Sequence, residues 1–137
     1  MGEKIIHAAG TAAVLYICHV LWYVVSRIHF VSELWPGLAG WLFMRGWPFD
    51  LVVFGWVVIL LAALANAKKV MVCVVIGYMA GFGLGVLFNR DYYAYRGMYN
   101  NEPIFVLVND GWYIWTVSYL VIIVLGIAWQ IIGRFRR

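Results

Sequence analysis

Four long apolar runs, separated by short polar stretches, set the pattern of this chain. Ile5 to Ser26 is apolar apart from Thr11 and two histidines, His7 and His19; Leu51 to Ala67, Val70 to Phe88 and Gly111 to Ile132 follow. At 1.5 Å per residue the first run makes a helix of roughly 33 Å, enough to cross the hydrocarbon core of a bilayer. Only Lys68-Lys69 separates the second run from the third, which predicts a tight turn between antiparallel neighbours. The expected fold is an all-α membrane protein: a four-transmembrane-helix bundle, one domain over residues 1–137, with an aromatic-rich extracytoplasmic cap.

Within the third run, Gly77, Gly81 and Gly85 recur every four residues and form a stripe on one helix face. In lipid there is little hydrophobic drive between helices, and small residues let backbones approach so that dispersion can hold them. The stripe is expected to pack either on a neighbouring span of the same chain or on another protomer or subunit. A pore lining is disfavoured, because no charged or polar ring accompanies the glycines.

Two stretches connect the runs on the other side. Residues 27–48 hold the breakers Trp35-Pro36-Gly37 and Arg45-Gly46-Trp47-Pro48, with a short interfacial helix or re-entrant piece expected over Leu38 to Met44. In residues 89–110, Glu102-Pro103 predicts a helix start, with a break near Asn109-Asp110-Gly111 and Asp110 capping the last span. The alternative for Ile104 to Val108 is a short strand. Tyr92, Tyr93, Tyr95 and Tyr99 lie here, and Trp22, Tyr23, Trp35, Trp41, Trp47, Trp112, Tyr113 and Trp115 fall near the same side. Amphipathic rings favour the headgroup layer, so the expected cap is a set of loops resting on lipid. A sharper reading makes Arg90, Asp91, Tyr92, Tyr93, Tyr95, Tyr99 and Trp112 a face for a lipid headgroup, a glycan or a partner protein.

Composition strengthens the membrane reading. Hydrophobic residues make up 66% of the 137 and charged residues only 12%, against about 25% charged in soluble domains. So small a core could not hide that much apolar surface. Lys4, Lys68, Lys69, Arg134, Arg136 and Arg137 fall on one side of the runs, and Arg27, Arg45, Arg90 and Arg96 on the other. The excess predicts cytoplasmic termini in a protein of the cell membrane. The net charge of +4 is no nucleic-acid signal, since the basic residues bracket apolar runs rather than forming a patch. Neither a cleaved signal peptide nor myristoylation at Gly2 is expected.

Chemistry is sparse. His19 is the one ionisable side chain deep in a run apart from the thiols of Cys18 and Cys73, which are expected to be free. The bland expectation for His19 is a neutral ring satisfied by one hydrogen bond to a neighbouring helix. The functional alternative is a polar intramembrane site of His19, Asn66, Thr116 and Ser118, serving a small transporter or flippase for a lipid-linked or amphipathic substrate. Asp50, Asp91 and Asp110 fall near outer helix ends and raise a third possibility, an aspartate-dependent hydrolase. Helix capping and ordinary loop charge are the simpler account of them. No nucleophile–base pair, phosphate loop or metal motif is present, and no cofactor is expected. The leading expectation is a non-enzymatic membrane protein working as a homo-oligomer or an accessory subunit of a larger complex.

Overall fold

The computed structural model describes residues 2–35 and 47–135. The expected element over Leu38 to Met44, with Trp41, lies outside them. Helices α1 (Gly2–Ser26) and α2 (His29–Leu34) come first, then α3 (Trp47–Leu64) and α4 (Lys68–Leu87). Strands β1 (Asp91–Tyr99) and β2 (Glu102–Asn109) follow, and α5 (Gly111–Phe135) closes the chain. Three helices, α1, α4 and α5, are long and apolar enough to cross a membrane. The remaining apolar helix, α3, has 18 residues, hence a length of about 27 Å.

The long helices alternate in direction. Trp56 of α3 donates its indole N–H to the Ala12 carbonyl of α1 at 3.1 Å. Nearer the other end of the pair, His19 meets Phe49 with ring centroids 6.3 Å apart. These two contacts make α1 and α3 antiparallel. On α4, Gly77 faces Tyr119 and Gly85 faces Gly111, so α4 and α5 are antiparallel as well. The N-terminus, the α3–α4 turn and the end of α5 therefore share one end of the bundle, and the strands stand at the other.

The α3–α4 turn lies at Ala65-Asn66-Ala67, not at the lysines. Asn66 adopts φ 54°. Its N–H donates to Ala63 O at 3.1 Å, and the Ala67 N–H donates to Ala62 O at 2.7 Å. This is a Schellman ending, with asparagine at the left-handed position and the last carbonyls satisfied. Lys68 and Lys69 consequently open α4. Lys69 lies over the Trp129 ring at 4.5 Å, tying the start of α4 to the end of α5. At its other end α3 begins four residues earlier than Leu51, with Pro48 in the first turn, where a missing N–H costs nothing.

The larger correction concerns residues 91–109, which form an antiparallel hairpin, so the fold is not all-α. Its two-residue loop is Asn100-Asn101, with φ 50° and 64°. Two successive left-handed residues make the tight turn whose twist matches paired strands, and asparagine tolerates that conformation. Pro103 pairs with Met98 in β2 rather than starting a helix. In a two-stranded sheet both strands are edges, where proline is accommodated. The strand alternative for Ile104 to Val108 is the one the chain adopts, within a longer strand. Between Tyr95 and Gly97 the register shifts, leaving Arg96 as the extra residue of a bulge beside Gly97 at φ 142°.

Candidate functional site

The glycine stripe faces α5 of the same chain. A Cβ on Gly81 would stand 2.7 Å from Cδ1 of Trp115 and 2.8 Å from its carbonyl oxygen. On Gly77 it would meet Tyr119 Cδ2 at 3.0 Å, and on Gly85 the Gly111 carbonyl at 2.7 Å. The α4 and α5 backbones are thus in direct contact, which only the absence of a Cβ permits. The stripe is consumed inside the chain, and no glycine of it is left to face a partner.

Large rings fill the space beside those glycines. Trp22 stacks on Phe82 with centroids 4.1 Å apart, and Phe82 meets Trp115 edge-on at 5.1 Å. Trp115 stacks with Trp112 at 5.7 Å, and Trp112 meets Trp35 at 4.5 Å. Trp35 and Trp115 are fully buried. Such pairs add about 0.5–1.5 kcal/mol each beyond the area they bury. Of four tryptophans expected in an interfacial cap, Trp35 and Trp115 therefore belong to the core, and Trp22 and Trp112 are partly buried against it. For Trp35 the room comes from Gly85 and Gly111, whose missing Cβ atoms leave the volume that its ring occupies. Trp112 packs on Trp35 and Trp115 in this cluster. The side chain of Trp47 lies outside the described residues.

His19 is buried on α1, with Nδ1 2.7 Å from the Tyr78 hydroxyl of α4. Tyr16, Phe49 and Tyr78 surround the ring. One interhelical hydrogen bond in an aromatic setting is what a neutral imidazole needs. The other members of the suggested polar site are elsewhere. Asn66 forms the α3–α4 turn at the bundle end, while Thr116 donates to the Trp112 carbonyl of its own helix at 2.8 Å. Ser118 is half-buried on α5. The structure does not gather the four around a common space. Cys18 and Cys73 are free and buried.

Asn89 organises the root of the hairpin. Its amide Nδ2 donates to the Leu34 carbonyl at 3.2 Å and to Asp91 Oδ1 at 2.9 Å. Its Oδ1 accepts the Gly111 N–H at 2.9 Å. One side chain thus joins the end of α2, the start of β1 and the start of α5. Asp110 caps α5 through its backbone, its carbonyl accepting the Ile114 N–H at 2.9 Å, while the side-chain cap comes from Asn89. Asp91 is engaged by Asn89, and Asp50 stands exposed in the first turn of α3. Among the described residues no three His, Cys, Asp or Glu side chains gather as metal ligands.

Beyond that root every strand residue is exposed or half-buried. Side chains alternate along a strand, so the register sorts them into two faces. Tyr92, Ala94, Val106 and Val108 share one, and the last three are half-buried. Tyr93, Tyr95, Met98, Phe105 and Leu107 share the other, each more than half exposed. Tyr95 and Phe105 are direct cross-strand partners, their rings 6.0 Å apart. Tyr99 lies near the tip, and Arg90 and Arg96 are exposed at the root and the bulge. Sequence reasoning singled out the tyrosines but missed Phe105, Leu107 and Met98, which only the strand register brings onto their face. It also missed Asn89.

No family model, curated protein or solved structure matches the chain.

Proposed function

We propose that this is a non-enzymatic protein of the cell membrane, with four spans and cytoplasmic termini, that acts through its extracytoplasmic hairpin. The hairpin serves as the contact to a second copy or to another subunit of a membrane complex. One observation carries this reading: five large apolar side chains lie exposed on one face of the hairpin, above a root fixed by Asn89. Contiguous exposed apolar surface of this kind marks an interaction site rather than ordinary surface.

The fourth span is α3, which lies antiparallel to α1 and whose shorter length is met by local thinning of the bilayer. All three lysines and Arg134 lie at the inner end, against Arg27, Arg90 and Arg96 at the other, and this excess favours cytoplasmic termini. With the glycine stripe occupied by α5, the hairpin becomes the principal candidate for an external contact. Extraction from native membranes in mild detergent, followed by mass determination, tests this. A defined complex larger than the detergent-bound monomer is expected, and a lone monomer at all concentrations contradicts the reading. In a background lacking Cys18 and Cys73, a cysteine at Tyr95 is expected to react with an impermeant reagent from outside, and one at Lys69 is not.

A further inference from the structure

At the end of the bundle that carries the N-terminus, α1 and α3 part around a cavity of about 620 Å³. Its size lies within the ~300–1,000 Å³ of sites that hold small molecules. Ala8, Ala9 and Ala12 form one wall, and Trp56, Ile59 and Leu60 the other. Three alanines opposite large side chains leave the gap. A second, smaller cavity of about 110 Å³ adjoins it, with Glu3, Lys4, His7, Asn66 and Lys68 alongside Ala63, Ala67 and Met71 in its lining. Lys4 and Ala63 belong to both.

The pair has the two halves of an amphiphile. A long apolar slot lies between helices that face lipid, and it ends at two lysines, a histidine and an amide set against a single carboxylate. We propose that this groove holds one anionic phospholipid, its phosphate at Lys4 and Lys68 and an acyl chain along the alanine wall. Ammonium groups neutralise the phosphate charge, and the Asn66 amide offers a further donor. Charge decides against a zwitterionic lipid, whose own ammonium would meet the same lysines. This inference rests on the membrane reading of α1 and α3 but not on the hairpin acting as a contact.

Native mass spectrometry tests it on the full-length protein in micelles supplied with phosphatidylglycerol, phosphatidylcholine or inorganic phosphate. One phosphatidylglycerol is expected to stay bound at activation energies that strip phosphatidylcholine, and inorganic phosphate is expected not to bind. Lys4→Gln with Lys68→Gln is expected to lower phosphatidylglycerol retention to the level of phosphatidylcholine. Ala9→Phe, which fills the slot and leaves the lysines, is expected to abolish retention independently, so the test survives if the double variant fails to fold. Equal retention of both lipids by the parent overturns the proposal and makes the groove ordinary lipid-facing surface. A groove-dependent dimer, lost in Ala9→Phe with no lipid adduct, also overturns it. Release of the protein from membranes by alkaline carbonate removes the membrane reading instead, a failure distinct from loss of lipid selectivity.

Discussion

Gly81→Ala adds one methyl group where α4 and α5 touch. The new Cβ would stand 2.7 Å from Cδ1 of the buried Trp115 and 2.8 Å from its carbonyl oxygen, against 3.4 Å for ordinary contact. The obstacles are an indole packed between Phe82, Tyr78 and Trp112, and a main-chain atom; neither is the free end of a flexible side chain. The helices must therefore separate by roughly 0.7 Å, a strain of the kind that costs about 1–3 kcal/mol in packed cores. Alanine is the better helix former by about 1 kcal/mol, which offsets part of this. Gly83 supplies the control, because a Cβ there meets nothing within 4 Å. Thermal unfolding in detergent, followed by tryptophan fluorescence, is expected to place Gly81→Ala several degrees below the parent and Gly83→Ala at or above it. Val86, which looks from the sequence like a position facing away from the stripe, is buried and so is no neutral site for comparison. If Gly81→Ala melts with the parent, the backbones of α4 and α5 are not in contact and the packing account fails.

Tyr78→Phe removes the partner of His19 and is expected to cost about 1 kcal/mol in detergent, with His19→Phe in the same background costing less than it does alone; a double-mutant cycle with no coupling would refute the pair. Asn89→Ala loses three hydrogen bonds at the hairpin root and is expected to raise amide hydrogen exchange throughout β1 and β2 while leaving α1 unchanged; unaltered strand protection would show that the root is held otherwise. Replacing Asn100-Asn101 with Asn-Gly is expected to slow exchange across the hairpin and Ala-Ala to speed it, since alanine strains at positive φ by about 1 kcal/mol per residue. The opposite order would rule out the two-residue left-handed turn.

The helices were legible because lipid demands long unbroken apolar runs, and that demand is written residue by residue. Their ends were less so: Asn66, not the charged lysine pair, takes the left-handed position, and the lysines begin a helix that composition would have them separate. The hairpin was obscured by its own chemistry. Its turn is Asn-Asn rather than the stronger Asn-Gly signal, its strand contains Pro103, and its tyrosines suit an interfacial anchor as well as a strand. Trp35 and Trp115 looked interfacial because the glycines that make room for them, Gly85 and Gly111 for Trp35 and Gly81 for Trp115, are distant in sequence and meet them only in three dimensions. The same holds for His19, whose partner Tyr78 lies on another helix. The exposed apolar face needed the register, since the bulge at Arg96 decides which side Met98 joins.

The most direct test of the central claim uses a photo-crosslinking residue placed at Tyr93, Phe105 or Leu107 on the exposed hairpin face, in cells carrying the protein at native levels. Matched positions at Ala94 and Val106, on the half-buried face, provide the comparison. The account predicts a discrete protein adduct of defined mass from all three exposed positions and a much weaker one from the other two. No protein adduct from any of the three, with lipid adducts alone or none, would contradict a hairpin that works as a contact between membrane proteins.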